Sequence, residues 1–206
     1  MRINSYEEIN EIGIDALGEV GSIGTGNAAT SLSNLIGRRV TMSLPKVQVL
    51  EFNEAVEKIG GFELIVASVL VKLGGEINGI MLSVQQLDFV NLIVNSMLGK
   101  KIESFDELDD MACSALTEVG NIMISSYMGA IADLSGIKVN MSVPSMAVNM
   151  LGGILTVPMT MIGNQSNHVL TVGGQFNCDG VQVHNDLLLF PDINSLNYIL
   201  YRLGIK

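Results

Sequence analysis

The sequence predicts an α+β fold in which two similar halves share one mostly antiparallel sheet. The chain has 206 residues, 48% of them hydrophobic and only 16% charged, so it can bury a sizeable core. Residues 5–45 align without a gap with residues 104–144, which indicates an internal duplication. In both halves a helical pattern precedes strand patterns whose connections are mostly too short for parallel crossovers, which favours antiparallel pairing.

The duplication is visible as identical residues at positions 99 apart (118 − 99 = 19). The matching pairs include Ser5/Ser104, Glu8/Glu107, Leu17/Leu116, Glu19/Glu118, Gly21/Gly120, Gly37/Gly136 and Pro45/Pro144. A period of about a hundred residues is too long for a solenoid unit, so it predicts two half-domains, approximately at 5–99 and 104–204. We expect the two halves to form a single domain that spans residues 1–206.

Each half is predicted to contain a helix, three strands and a second helix. In the first half these segments are a helix at 5–36, strands at 40–52, 64–73 and 77–84, and a helix at 87–98. In the second half they are a helix at 105–135, strands at 138–149, 167–176 and 182–190, and a helix at 192–203. The state of residues 150–162 stays open, because this segment has no counterpart in the first half. We expect the two long helices to lie side by side on the sheet.

The start of the second long helix has the pattern of a capping box. The Ser104 hydroxyl would accept a hydrogen bond from a free backbone N–H, and Glu107 would reach back to another. The helix then has an apolar stripe that consists of Leu108, Met111, Ala112, Ala115, Leu116, Val119 and Ile122. In the first copy the glycine-rich segment 21–26 could interrupt the helix, since each glycine costs about 1 kcal/mol relative to alanine.

Composition excludes several classes of function. The net charge is −10 and the sequence has no Lys/Arg cluster, which argues against nucleic acid, whose phosphates a binding protein must neutralise. Only two histidines occur, without a partner at ligand spacing, so we expect no metal or other cofactor of its own and no Ser-His-Asp triad. The apolar runs are far shorter than the ~20 residues that cross a bilayer, so we expect a cytoplasmic protein.

Three polar residues of the second copy share one side of the predicted helix. Ser114, Glu118 and Asn121 are four and then three residues apart, which places them within an arc of about 60°, off the apolar stripe. Polar side chains on a helix are usually a solvated surface. An exposed glutamate at both position 19 and position 118, however, contributes nothing to a core. The repeated acid therefore indicates a functional surface, on which a carboxylate could pair with a partner's lysine and a carboxamide could fix a water.

The spacing Ser114-x3-Glu118-x2-Asn121-x22-Pro144 resembles the signature of the CheC/CheX/FliY family of chemotaxis phosphatases. The chain is most similar to the CheC-type members, because it has two copies of the motif and no attached switch domain. The resemblance implies dephosphorylation of the response regulator CheY, which supplies the aspartyl phosphate, the Mg²⁺ and a lysine. It also implies that Glu118 pairs with this lysine and that Asn121 positions the attacking water, which is catalysis by positioning.

The first copy, Asp15-x3-Glu19-x2-Ser22-x22-Pro45, matches the same signature at three of its four positions. The departure is Ser22, whose hydroxyl is shorter than a carboxamide and cannot present a donor and an acceptor at the same reach. We therefore expect the first site, with Glu19 as its acid, to be weak or silent.

The resemblance also implies a second partner, the receptor-modifying deamidase CheD. The family's docking segment corresponds to residues 147–155, where family members tend to have an acidic residue and this chain has Asn149. We expect the protein to be a monomer. Two alternatives stay open: a non-catalytic adaptor that binds CheY or CheD in chemotaxis signalling, and a dimerisation domain without an active face.

Overall fold

A long helix opens each half of the chain, and the same succession of strands and helices follows it. The computed structural model describes residues 3–162 and 167–205. The described elements are α1 (Glu11–Ile36), β1 (Val40–Met42), β2 (Lys46–Glu51), α2 (Phe52–Ile59), β3 (Ile65–Gly75), β4 (Gly79–Gln85), α3 (Leu87–Leu98), α4 (Asp110–Ser135), β5 (Val139–Met141), β6 (Ser145–Met150), α5 (Leu151–Met161), β7 (His168–Cys178), β8 (Val181–Pro191) and α6 (Ile193–Arg202). Both α1 and α4 have 26 residues. The predicted α+β fold of two similar halves is confirmed.

The strands form one sheet, and every pairing in the described part of the chain is antiparallel. The hairpins β3–β4 and β7–β8 lie at its centre, joined by the pairing of β4 with β8. The edge strands are exchanged between the halves. Strands β1 and β2 of the first half pair with β7 of the second, and β5 and β6 of the second half pair with β3 of the first.

Helices cover both faces of this sheet. One face packs against α1, α3, α4 and α6 in a large core whose central side chains include Leu17, Phe89, Leu116 and Phe176. The other face packs against the shorter α2 and α5 in a second core, which includes Val56, Leu82, Leu155 and Phe190. Successive side chains of a strand point to opposite faces, so strands buried on both sides are continuously apolar rather than alternating.

The predicted order of one helix, three strands and one helix in each half is wrong, because both halves contain an additional helix. The predicted strand at 40–52 divides into β1 and β2 around Pro45, which has no N–H to donate to a sheet ladder. The chain then turns at Phe52 into α2. In the second half α5 begins at Leu151, 99 residues later, so residues 150–162 do have a counterpart. The helix α5 contains glycines and Pro158, and burial of its apolar side chains outweighs this poor propensity.

The predicted helix starts near residues 5 and 105 are also wrong. Ser104 opens a separate 3₁₀ turn, in which its hydroxyl oxygen accepts a hydrogen bond from the Asp106 N–H at 3.1 Å. The long helix begins again at its own cap, Asp109, whose carboxylate accepts from the Ala112 N–H at 2.9 Å. In the first half Asn10 caps α1, which continues unbroken through its glycine-rich segment.

No helix in residues 3–162 or 167–205 combines the length and the apolar character that crossing a membrane requires.

Candidate functional site

The two motif helices α1 and α4 pack directly against each other, as predicted. The two helices approach each other closely at Gly24. A Cβ atom at this position would lie 2.9 Å from the Cα of Tyr127 and 3.2 Å from the carbonyl oxygen of Ser126. A larger residue would therefore meet backbone rather than a movable side chain, so the glycine-rich segment serves helix packing.

Each motif helix also has a glycine where it crosses the sheet. A Cβ on Gly120 of α4 would lie 2.6 Å from the Cβ of Val69 on β3. A Cβ on Gly21 of α1 would lie 3.7 Å from Cγ1 of Val172 on β7. Both glycines lie within two residues of the motif glutamates, so they hold the two copies of the motif at a short distance above the sheet.

The two crossing points lie on one row of the sheet. Cross-strand partners connect them in the order Val172, Leu187, Ser83 and Val69. Three strand spacings separate the ends of this row, which amounts to about 14 Å. The two copies of the motif are therefore close neighbours in the same helical layer.

In the second copy the predicted residues lie together on the outer side of α4. The side chains of Ser114 and Glu118 are exposed and that of Asn121 is half-buried. Among residues 3–162 and 167–205, neither Glu118 nor Asn121 has a hydrogen-bonding or ion-pairing partner for its side chain. Both functional groups are thus available to another molecule.

Two contacts hold the N-terminal part of α4 in place. The hydrogen bond from the Lys100 ammonium, with that from the Ala112 N–H, lowers the pKa of the capping carboxyl of Asp109, so the cap is ionised at neutral pH. Further along, buried Gln85 donates from Nε2 to the Leu116 carbonyl oxygen at 3.1 Å. Sequence patterns did not identify Gln85, because this contact joins residues of different elements.

In the first copy Asp15 and Glu19 are exposed in the same way, and Ser22 is half-buried. The Ser22 hydroxyl donates a hydrogen bond to the Gly18 carbonyl oxygen at 3.0 Å. Its only proton is therefore directed at the backbone of its own helix. Position 22 differs from position 121 both in reach and in the availability of its donor.

The two motif prolines are themselves half-buried and lie in exposed loops beside the motif helices. Cγ of Pro45 is 3.0 Å from the position of a Cβ on Gly21. Pro144 comes two residues before Met146, whose sulfur is 3.5 Å from Oγ1 of Thr117 on α4. Each proline thus belongs to a loop that runs next to its motif helix.

The prediction that Met111 belongs to the apolar stripe is wrong, because its side chain is 64% exposed. Met111 lies three residues before Ser114 and seven before Glu118, so it shares their outer face. The duplication offered a signal for this placement, since the first copy has an apolar residue, Ile12, at the same position.

Asn149 lies on β6, at the edge of the sheet. Its side chain is exposed, and its Oδ1 accepts a hydrogen bond from the Met150 N–H at 2.8 Å. This position lies outside the two motif helices, so the structure does not bring Asn149 together with the other predicted site residues.

Both copies of the repeat match the model of the CheC-like family, over residues 12–48 and 111–147. The chain is thus similar to the CheC-like family over the two segments that contain the motif. It is 28% identical over 205 residues to the CheY-P phosphatase CheC of Bacillus subtilis, covering 97% of each chain. It is also 28% identical over 143 residues to the flagellar motor switch phosphatase FliY of the same organism, a match that covers 69% of this chain and 37% of FliY.

Solved structures share the fold. The crystal structure of Thermotoga maritima FliY superposes with a TM-score of 0.75 at 22% identity, covering 96% of this chain and 98% of that one. The middle domain of FliM from H. pylori superposes with a TM-score of 0.69 at 10% identity, covering 94% and 99%. At identities this low, the superpositions establish a shared fold only. The activity has to be inferred from the residues of the site.

Proposed function

We propose that this protein is a phosphatase that hydrolyses the aspartyl phosphate of a CheY-type response regulator. One observation carries the proposal: Glu118 and Asn121 lie on one accessible helix face without a partner among the described residues. The similarity to a CheY-P phosphatase over 97% of the chain supports it. The motif helix would enter the regulator's phosphorylation site with this face forward.

In the proposed reaction a water attacks the phosphorus in line with the bond to the aspartate oxygen. That P–O bond breaks, the aspartate leaves as a carboxylate, and the water's oxygen and protons end on inorganic phosphate. The Asn121 carboxamide oxygen would accept a hydrogen bond from the water, and its NH₂ group could donate to a phosphoryl oxygen. Positioning of this kind suits phosphoryl transfer, in which the catalyst does little covalent chemistry.

Glu118 would form an ion pair with the regulator's lysine and so fix the depth and orientation of the helix. A charge-assisted hydrogen bond is suited to this role because it is directional and about twice as strong as a neutral one. The Mg²⁺ that the phosphoryl group needs would be bound by the regulator. We propose that the first site, with Glu19 as its acid and Ser22 in place of the carboxamide, is weak or silent.

The substitution Asn121→Ala tests the proposal directly. We expect the rate of phosphate release from the phosphorylated regulator to fall about 10²-fold or more, as when another enzyme loses one positioned hydrogen-bonding group. Release can be followed after rapid mixing of the two proteins. The matched control is Asn53→Ala, an exposed asparagine on α2 beyond the other face of the sheet, which we expect to leave the rate unchanged. If Asn121→Ala retains most of the activity, the assignment of Asn121 is wrong.

We propose CheD as a second partner, which would dock on residues 147–155. The exposed side chain of Asn149 on an edge strand supports access to this segment. Because the resembled family tends to have an acid at this position, we expect Asn149→Asp to increase the amount of CheD retained in a pull-down. Equal retention by the two forms would contradict a role for this position.

A further inference from the structure

Two exposed apolar side chains accompany each copy of the motif, at matching positions. Ile12 and Met111, which are 99 residues apart, are 63% and 64% exposed, and Leu44 and Val143 are 82% and 85% exposed. Exposed apolar residues scattered singly need no explanation. Exposure to the same degree at two positions in both copies indicates a surface that was duplicated together with the motif.

In the first copy one of these side chains lies on the helix that carries the acid, and the other lies on the loop that contacts this helix. Ile12 is three residues before Asp15 and seven before Glu19, so the three share an arc of about 60° on α1. Leu44 immediately precedes Pro45, which touches α1 at Gly21, between Glu19 and Ser22. Glu19 therefore shares its helix face with one exposed apolar side chain, and a second one lies on the loop that contacts the same helix.

The second copy repeats this arrangement. Met111 is placed relative to Glu118 as Ile12 is relative to Glu19. Val143 precedes Pro144 in the loop that the contact between Met146 and Thr117 holds beside α4. Both copies thus combine an exposed acid, an exposed apolar side chain on the same helix face and a second one on the adjoining loop, which fits a protein surface that carries a lysine within an apolar patch.

The copies differ in the group that would act on water. Asn121 presents a free carboxamide, whereas the hydroxyl of Ser22 donates to the Gly18 carbonyl oxygen. The groups suited to recognition are retained in the first copy, and the group suited to hydrolysis is lost.

We propose that the first copy is a docking site that binds the phosphorylated response regulator without hydrolysing it. Glu19 supplies the ionic contact, and Ile12 and Leu44 supply the apolar contacts. The occupant is the same regulator that the second copy dephosphorylates, because the two copies present the same acid with exposed apolar residues at matching positions. This inference rests on the proposed function.

The test uses calorimetry to measure binding of the source organism's CheY-type regulator. Beryllofluoride and Mg²⁺ keep this regulator in the phosphorylated-like state, because beryllofluoride on the aspartate mimics the phosphoryl group. The double variant Met111→Asp/Val143→Asp disables docking at the second copy. It should still bind through the first copy, within about tenfold of the wild-type affinity, while its hydrolysis of the phosphorylated regulator falls. Adding Ile12→Asp and Leu44→Asp should weaken the remaining binding about a hundredfold, since the loss of each apolar anchor costs about tenfold.

The matched control is Val157→Asp/Met161→Asp, two exposed apolar residues of α5 on the opposite face of the sheet. It should change the affinity less than twofold. Loss of all binding in the double variant at the second copy would overturn the docking site, as would binding that survives all four substitutions.

Failure of the proposed phosphatase function can be distinguished from failure of the proposed docking site. If the wild-type protein releases no phosphate but the Met111→Asp/Val143→Asp variant still binds the regulator, the phosphatase proposal fails and the docking site stands. If it releases phosphate and the Met111→Asp/Val143→Asp variant binds nothing, the docking site fails and the phosphatase proposal stands.

Discussion

Positions 22 and 121 occupy the same place in the two copies of the motif, one residue after a glycine that packs on the sheet or its flanking loop. Both are half-buried on the outer side of a 26-residue helix. What distinguishes them is the side chain. A carboxamide offers a donor and an acceptor beyond the helix surface, whereas the Ser22 hydroxyl is bound to its own helix at Gly18.

This difference predicts the effect of Ser22→Asn. In an Asn121→Ala background, we expect Ser22→Asn to raise the rate of phosphate release at least tenfold, because Glu19 and Pro45 of the first copy are already in place. The rate is measured with the phosphorylated regulator in excess. Thr30→Asn is the control, since Thr30 also lies on α1 and donates to the carbonyl oxygen four residues earlier. No gain from Ser22→Asn would show that the first copy lacks more than the carboxamide.

At the level of elements, the contact between α1 and α4 determines how the two motif faces are presented. The helices approach so closely at Gly24 that a Cβ there would meet the backbone of Tyr127. Backbone atoms within a helix cannot move aside without displacing the whole helix. The distance between α1 and α4 therefore depends on the absence of a side chain at Gly24.

The packing role of Gly24 predicts opposite effects for two neighbouring substitutions. We expect Gly24→Ala to lower the free energy of unfolding by about 1–3 kcal/mol, because the added methyl group overpacks the helix contact. Gly26→Ala, on the same helix with no atom within 4 Å of its Cβ position, should raise it by about 0.5–1 kcal/mol, because alanine favours the helix. Urea titrations of the two variants and the wild type provide the measurement. Equal effects would mean that the helices can separate freely at Gly24.

For the whole molecule, the exchange of edge strands joins the halves. Neither half contains the hairpin on which its own outer strands pair, since β2 lies on β7 and β6 lies on β3. Each half alone would expose an unpaired strand edge and part of both cores. We propose that the chain is a single domain and a monomer, because the internal two-fold arrangement already satisfies these edges.

Cleaving the chain between its two halves tests the proposal that they form a single domain. After cleavage at an engineered protease site in the exposed segment 99–101, we expect the halves to remain associated as one particle in size-exclusion chromatography, because the exchanged strands hold them together. The half that comprises residues 102–206, expressed alone, should self-associate rather than elute as a folded monomer. A folded, monomeric half would show that the exchange is not required for stability. The intact protein provides the reference elution volume.

Local spacing along the chain was sufficient to predict the duplication, the α+β class and the common outer face of Ser114, Glu118 and Asn121. The common face depends on helix periodicity, which relates residues at most seven positions apart. The duplication is visible as identical residues 99 positions apart. The predictions failed where distant segments decide the outcome. Helix α5 forms despite its glycines and proline because it covers a core built from strands of both halves. The outward position of Met111, by contrast, follows from local helical spacing, because it lies three residues before Ser114 and seven before Glu118.

The repeat and the helical spacing in the amino-acid sequence thus determined which residues share a face, since neighbouring turns of one helix need no other element to align them. The exchange of edge strands, the contact of Gly24 with Tyr127 and the exposure of Leu44 and Val143 in the loops beside both motifs required the assembled fold. Each of these features depends on packing between segments that are more than twenty residues apart in the chain. Local sequence patterns contain no information about such long-range contacts.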